Sequence, residues 1–118
     1  FGSGNIIIGL PENCPMTKLV NKVLIINGRR TSMRLCLSEW YALERICREE
    51  KLSRNRLIEI IENNNRVNLG LTYLTRLFTL FYFYNQAVSP KEHFGRKKGE
   101  EKIRLVLEEL YAVKSETA

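Results

Sequence analysis

A change of hydrophobic period between residues 28 and 62 constrains the fold more than any other feature. From residue 30 to residue 35 the side chains alternate between two faces, which is typical of an amphipathic strand. One face carries Thr31, Met33 and Leu35, and the other carries Arg30, Ser32 and Arg34. The apolar positions that follow recur at helical spacing. The chain is therefore predicted to contain one strand with a basic outer face, followed directly by helices.

Two helices are predicted after this strand. The first spans about 38–50, because Trp40, Leu43, Ile46 and Cys47 repeat at helical spacing, and we expect Ser38 to cap it. Ser53 is predicted to cap the second, which ends near residue 63. Glu50 and Lys51 must then form a tight turn that glycine would form more easily.

The strand has no evident partner in its own chain. Pro11, Pro15 and Gly9 interrupt the preceding segment, so the apolar run 23–26 is only a candidate short strand, and Asn27-Gly28 indicates a turn or bulge. A lone strand satisfies its backbone by pairing with another strand, and a second copy of the chain supplies one. We therefore expect a homodimer, or a higher even oligomer, built on a two-stranded antiparallel ribbon.

A third helix is predicted over about 68–86, the most apolar part of the chain. Arg76 near its centre would be costly in a membrane. The polar residues Thr72, Thr75, Arg76 and Thr79 form one stripe on an otherwise apolar helix. These features favour a largely buried helix over a membrane span, with a second copy covering the excess apolar surface.

The last helix is predicted over about 100–114. Its apolar face consists of Ile103, Val106, Leu107 and Leu110 and would dock on the third helix or on a partner. Before it, residues 89–92 have the form of a capping box.

Residues 28–62 resemble the ribbon-helix-helix domains of the Arc/CopG kind, and a bacterial branch of them in particular. The matching positions are Gly28, Arg30-Thr31-Ser32, Arg34-Leu35, Trp40, Ser53, Asn68-Leu69 and Arg76. The resemblance implies a mainly α fold and an obligate dimer with intertwined helices. It also implies that the ribbon enters the DNA major groove, usually in a transcriptional repressor or an antitoxin.

Carried over by position, Arg30, Ser32 and Arg34 match the family's base-reading face. Arginine bonds bidentately to guanine, and serine bonds to either kind of base edge. The start of the second helix, Ser53-Arg54-Asn55, matches the phosphate anchor, where free N–H groups favour an anion. Arg29 is also assigned to phosphate. The alternatives are that the arginines are solvated charges and that Ser53 is a helix cap alone.

The resulting organisation has four parts. Residues 1–27 form an N-terminal extension, 28–66 the ribbon-helix-helix core, 67–88 the third helix and 89–118 a C-terminal helical extension.

The amino-acid composition also favours a binding protein with a polyanionic partner. The net charge is +6, and residues 1–37 carry five Lys/Arg against one Glu, which suggests a polyanionic partner such as double-stranded DNA. All thirteen acidic residues are Glu and there is one His, so an enzyme is disfavoured and no cofactor is expected. Three scattered cysteines without a C-x-x-C pair favour a reducing cytoplasm and disfavour zinc.

Three functions remain open at this point. The first is a dimeric DNA-binding regulator. The second is an antitoxin-like module that holds a protein partner with its C-terminal helices. The third is a scaffold protein without DNA contact, which would gain if residues 5–26 covered the outer face of the strand.

Overall fold

The chain folds into two strands followed by four helices. The computed structural model describes residues 14–88 and 97–112, so the capping-box segment 89–92 lies outside the described residues. The elements are β1 (Leu19–Ile26), β2 (Arg29–Cys36), α1 (Leu37–Glu50), α2 (Arg54–Asn63), α3 (Leu71–Val88) and α4 (Gly99–Tyr111). The predicted mainly helical ribbon-helix-helix order, with further helices after it, is confirmed.

The strand β2 does have a partner in its own chain, so our premise of a lone strand is wrong. β1 pairs with it antiparallel, from Ile26 opposite Arg29 to Leu19 opposite Cys36. Asn27 and Gly28 join the strands with φ of 54° and 77°, as a two-residue hairpin turn with two left-handed residues requires. β1 was underestimated as the run 23–26 because both of its faces carry apolar side chains, which hides the alternation.

One face of the hairpin packs against the helices. Leu24, Ile26, Met33 and Leu35 are buried on this face. Trp40 of α1 is also buried, and its Nε1 donates to the carbonyl oxygen of Val20 at 2.9 Å. At the turn, the Asn27 N–H donates to Glu59 Oε2 and its Nδ2 donates to Asn63 Oδ1, both at 2.9 Å. The hairpin is therefore anchored near both of its ends.

The boundaries of α1 and α2 lie within one residue of the predicted ones. By contrast, α3 begins at Leu71 and not near residue 68, because Asn68 has a φ of 57°, and it ends at Val88 and not near residue 86. The last helix, α4, ends at Tyr111 and not near residue 114. The cap of α1 also differs from the predicted one. The N-cap is Cys36 and not Ser38, because the Cys36 N–H donates to Glu39 Oε1 at 2.9 Å and the helix begins at Leu37. Lys51 ends α1 with a φ of 59°, which confirms the strained turn. Ser53 caps α2 as predicted, and its Oγ accepts from the Arg56 N–H at 3.1 Å.

The helix α3 is largely buried, and of its polar stripe only Arg76 is exposed. Thr75 and Thr79 lie in the core, where the Thr79 hydroxyl donates to the Thr75 carbonyl oxygen at 2.8 Å. Four large apolar or aromatic side chains of α3 are also exposed to solvent. We call these residues, Tyr73, Leu80, Tyr84 and Val88, which are 54–70% exposed, the α3 stripe. Within the described ranges no helix is long and apolar enough to cross a membrane.

The helix α4 docks on its own chain. Its residues Ile103, Val106 and Leu107 are buried in the common core. The carboxylate of Glu50, at the end of α1, is fully buried and accepts from the Tyr82 hydroxyl at 2.7 Å and from the Gly99 N–H at 2.9 Å. Its third contact is with Lys102 Nζ at 3.2 Å. This carboxylate joins α1, α3 and α4.

Candidate nucleic-acid interface

The outer face of β2 is exposed, as the sequence predicted. Arg30, Ser32 and Arg34 are all exposed to solvent. The intervening Met33 and the following Leu35 are no more than 2% exposed. Residues two apart on a strand are about 7 Å apart and lie on the same side. The buried face holds the strand in place, so these three side chains form an ordered row on a rigid support.

The positive charge of this row is not neutralised. Most arginines of the described residues outside β2 form ion pairs: Arg45 with Glu49, Arg54 with Glu44, Arg56 with Glu100, Arg66 with Glu108, Arg76 with Glu39 and Arg104 with Glu100. By contrast, no carboxylate among residues 14–88 and 97–112 lies within 4.0 Å of the guanidinium groups of Arg29, Arg30 or Arg34. The unpaired arginines of the described residues are therefore concentrated on β2, and the remaining one is Arg48 of α1.

The start of α2 offers a second anion-binding feature. Ser53 and Asn55 are exposed, and the first turn of α2 contains no acidic residue. The first backbone N–H groups of a helix lack partners within the helix and carry its positive dipole end. The Arg54 side chain, however, is occupied: its Nη1 lies 2.9 Å from Glu44 Oε2, and its Cζ lies 5.6 Å from the centre of the Trp40 ring.

The second edge of β2 is open. The Ile26–Arg29 pair closes the hairpin turn, so Arg30, Ser32 and Arg34 occupy positions whose N–H and C=O groups point away from β1. The sheet of the described residues has two strands only, and none lies on this edge. Backbone groups for pairing with another strand are therefore available beside the basic row.

The sequence reasoning missed the outer face of β1. In the register of the hairpin, Val23 lies opposite Ser32 and Ile25 lies opposite Arg30. These two apolar side chains are 50% and 48% exposed. An Asn-Gly dipeptide between an apolar run and an alternating segment is a strong hairpin signal and was the clue to this second strand. β1 lies beside β2 and leaves the outer face of β2 uncovered; of the proposed covering segment 5–26, residues 5–13 lie outside the described residues.

The cysteines do not form a metal site in the described part of the chain. No three side chains of His, Cys or Glu come together there in a way that would hold a metal ion. Cys47 is buried on the inner side of α1, and burial together with the nearby Glu44 raises the pKa of its thiol to about 11. His93 lies outside the described residues.

The comparisons with known proteins agree with this architecture. The family model of the ribbon-helix-helix domain matches residues 19–83. This range includes both strands and extends well into α3. Among solved structures, an uncharacterized protein from Bordetella pertussis Tohama I is 21% identical, with 98% of each chain covered and a TM-score of 0.59, and it shows the same fold. No protein with a curated description matches the sequence. The chain therefore belongs to the ribbon-helix-helix domain family.

Proposed function

We propose that the protein is a dimeric, sequence-specific DNA-binding protein, a transcriptional regulator that acts as a repressor and reads the major groove. The observation that carries this proposal is the exposed row of Arg30, Ser32 and Arg34, whose two guanidinium groups lack carboxylate partners in the described structure. The major groove admits a β-ribbon, and arginine bonds bidentately to guanine there. The proposal includes no catalytic step and no cofactor, and it assigns the protein to the cytoplasm.

Phosphate contacts position the row on the duplex. Arg29 begins β2 at the hairpin turn, opposite Ile26 and on the other face from Arg30, and it is exposed and has no carboxylate partner among the described residues. At α2, Ser53, Arg54 and Asn55 present the unpaired N–H groups of the helix start. Because Glu44 holds the Arg54 guanidinium, Arg54 contributes its backbone N–H in this scheme.

The homodimer forms through the second edge of β2. If two copies pair antiparallel with the symmetry axis beside Ser32, every outward N–H and C=O of Arg30, Ser32 and Arg34 gains a partner. The two basic rows then form one continuous surface.

Replacement of one arginine tests base reading. Arg34→Ala should cost about 1–3 kcal/mol of discrimination at one position of the preferred duplex and leave the dimer intact. Arg48→Ala is the matched control, because Arg48 is exposed on α1 and also lacks a carboxylate partner within the described ranges. Competition binding at several salt concentrations measures both variants, and affinity should fall steeply with salt. Equal affinity for all duplexes, unchanged in Arg34→Ala, would refute base reading.

Proline substitution tests the dimer edge. Ser32→Pro removes an N–H that points away from β1, whereas Val23→Pro, directly opposite, removes one on the far edge of β1. Both leave the hydrogen bonds between β1 and β2 in place. In light scattering, Ser32→Pro should have the mass of a monomer, near 13.8 kDa. Val23→Pro and the wild type should have twice that mass, as dimers. Circular dichroism verifies the fold, and a dimeric Ser32→Pro would argue against this edge.

The alternative is an antitoxin-like module that holds a protein partner. The C-terminal helix α4 uses its apolar face within its own chain, so the surface that favours a protein partner is the α3 stripe. Leu80→Lys, at the most exposed residue of that stripe, distinguishes the two functions. Loss of a co-purifying protein with DNA binding retained would favour the alternative.

A further inference from the structure

We infer that Val23 and Ile25 of β1 contact thymine methyl groups and thereby contribute to the sequence preference. This inference rests on the proposed DNA binding and adds a second strand to the reading surface. It starts from two β-branched apolar side chains that are half exposed, on a face that the described residues leave uncovered.

The hairpin register places both residues next to the basic row. Val23 lies opposite Ser32 and Ile25 opposite Arg30, at positions where the two strands do not exchange hydrogen bonds. Directly opposed side chains at such positions have Cβ atoms about 4.5–5.5 Å apart and point to the same side of the sheet. A duplex that the short Ser32 side chain reaches is therefore also close to Val23 and Ile25.

The chemistry of the groove matches this arrangement. The thymine 5-methyl is the one methyl group that an ordinary base pair presents in the major groove, and aliphatic side chains contact it. Across a base pair, this methyl is the groove group nearest the thymine strand's own backbone. β1 lies about 4.8 Å to the side of β2, so it lies toward the groove wall when β2 lies over the floor.

The flanking charges select DNA as the occupant of this face. An apolar patch that docked a protein would not require unpaired cations, whereas Arg30 opposite Ile25 and Arg34 two residues beyond Ser32 attract a polyanion to the same surface. Alternating cationic and aliphatic side chains can contact guanine edges and thymine methyls of neighbouring base pairs.

Replacement of thymine by uracil tests the contact, because it deletes only the methyl group. Duplexes selected by the wild-type protein from a random pool are resynthesised with uracil at one thymine at a time. The full chain should bind the substituted duplex about fourfold more weakly at the contacted positions, the effect of one buried methyl group. The ratio of the affinity for the thymine duplex to the affinity for the uracil duplex is then about four in the wild type. In Val23→Ala or Ile25→Ala this thymine-to-uracil ratio should fall to near one at the corresponding position.

Val67→Ala is the matched control, since Val67 is a 39% exposed valine between α2 and α3, and its ratio should remain at about four. Val23→Ser and Ile25→Ser, whose side chains carry no methyl group, replace any alanine variant that folds poorly, and they should also lower the ratio.

The outcomes separate this inference from the proposed function. If the wild type selects a preferred sequence but its thymine-to-uracil ratio is one at every position, the inference is overturned and the proposed function is not. The same holds if the ratio is unchanged in the variants. A change of oligomeric mass in Val23→Ala, without a change in the ratio, would overturn it in favour of a protein interface. Failure to select any sequence would overturn the proposed function as well.

Discussion

Replacement of the buried carboxylate by its amide, Glu50→Gln, should weaken the fold severely. The wild-type carboxylate is fully buried and accepts from Tyr82, Gly99 and Lys102. Removing one partner of a buried ion pair costs about 3–5 kcal/mol. The amide oxygen keeps one or two neutral hydrogen bonds worth about 1 kcal/mol each, so we expect a loss of about 2–3 kcal/mol in the free energy of unfolding.

The neighbouring substitution Glu49→Gln is the matched control. Glu49 pairs with Arg45 at 3.1 Å, but its side chain is 42% exposed, and such pairs within a helix contribute about 0.3–0.5 kcal/mol. Urea unfolding followed by the fluorescence of Trp40, the single tryptophan, measures both variants. If Glu50→Gln were no less stable than Glu49→Gln, the three contacts would not stabilise the fold as argued.

The pH dependence supplies a second readout of the same contact. Burial raises the pKa of Glu50, but the hydrogen bonds from Tyr82 and Gly99 and the charge of Lys102 outweigh it, so the folded-state pKa lies below the ordinary 4.5. Its contribution to stability is therefore present above about pH 4.5 and is lost as the pH falls through the folded-state pKa. The stability difference between wild type and Glu50→Gln should narrow in acid, and a constant difference down to about pH 2 would contradict this assignment.

Three smaller predictions test other parts of the fold. Ser53→Ala should lose about 1 kcal/mol of unfolding free energy as an N-cap variant, and Ser38→Ala less than about 0.5 kcal/mol because it is not the cap; equal losses in urea unfolding would contradict the cap assignment. Asn27→Ala should be about 1 kcal/mol less stable than Asn27→Gly in the same assay, because only glycine avoids the cost of the positive φ. Cys47, with a buried thiol of pKa about 11, should resist iodoacetamide at about pH 8 in the native protein and react after unfolding, as mass spectrometry of the labelled peptides would show.

Local patterns in the sequence predicted most of the helices and the outer face of β2. Ser53 caps α2 because it precedes an amphipathic run, and Arg30, Ser32 and Arg34 share a face because strands alternate. Both rules act over a few residues and need no knowledge of the rest of the chain.

Three features were not predicted in this way, two because their local pattern is atypical and one because it depends on distant contacts. β1 was underestimated because its outer face carries Val23 and Ile25, so it lacks the alternation of a half-buried strand. The cap of α1 was misplaced because Cys36 is an unusual cap, and Glu39, three residues later, satisfies its N–H. The carboxylate of Glu50 gave no sequence signal, since its partners lie 32 to 52 residues away along the chain.

The arginines illustrate the same limit for the site. Sequence alone could not distinguish Arg54, whose guanidinium is held by Glu44, from Arg34, which has no carboxylate partner in the described structure. Ion pairing between helices decides which cations are available to a ligand, and it follows from the tertiary packing.

Selection of bound duplexes from a random DNA pool tests the central claim most directly, that the outer face of β2 reads bases. The account predicts an enriched sequence with two related half-sites in inverted orientation, each containing a guanine whose preference is relaxed in Arg34→Ala. A pool that stays unenriched after repeated selection, at salt concentrations where the protein binds DNA, would contradict it.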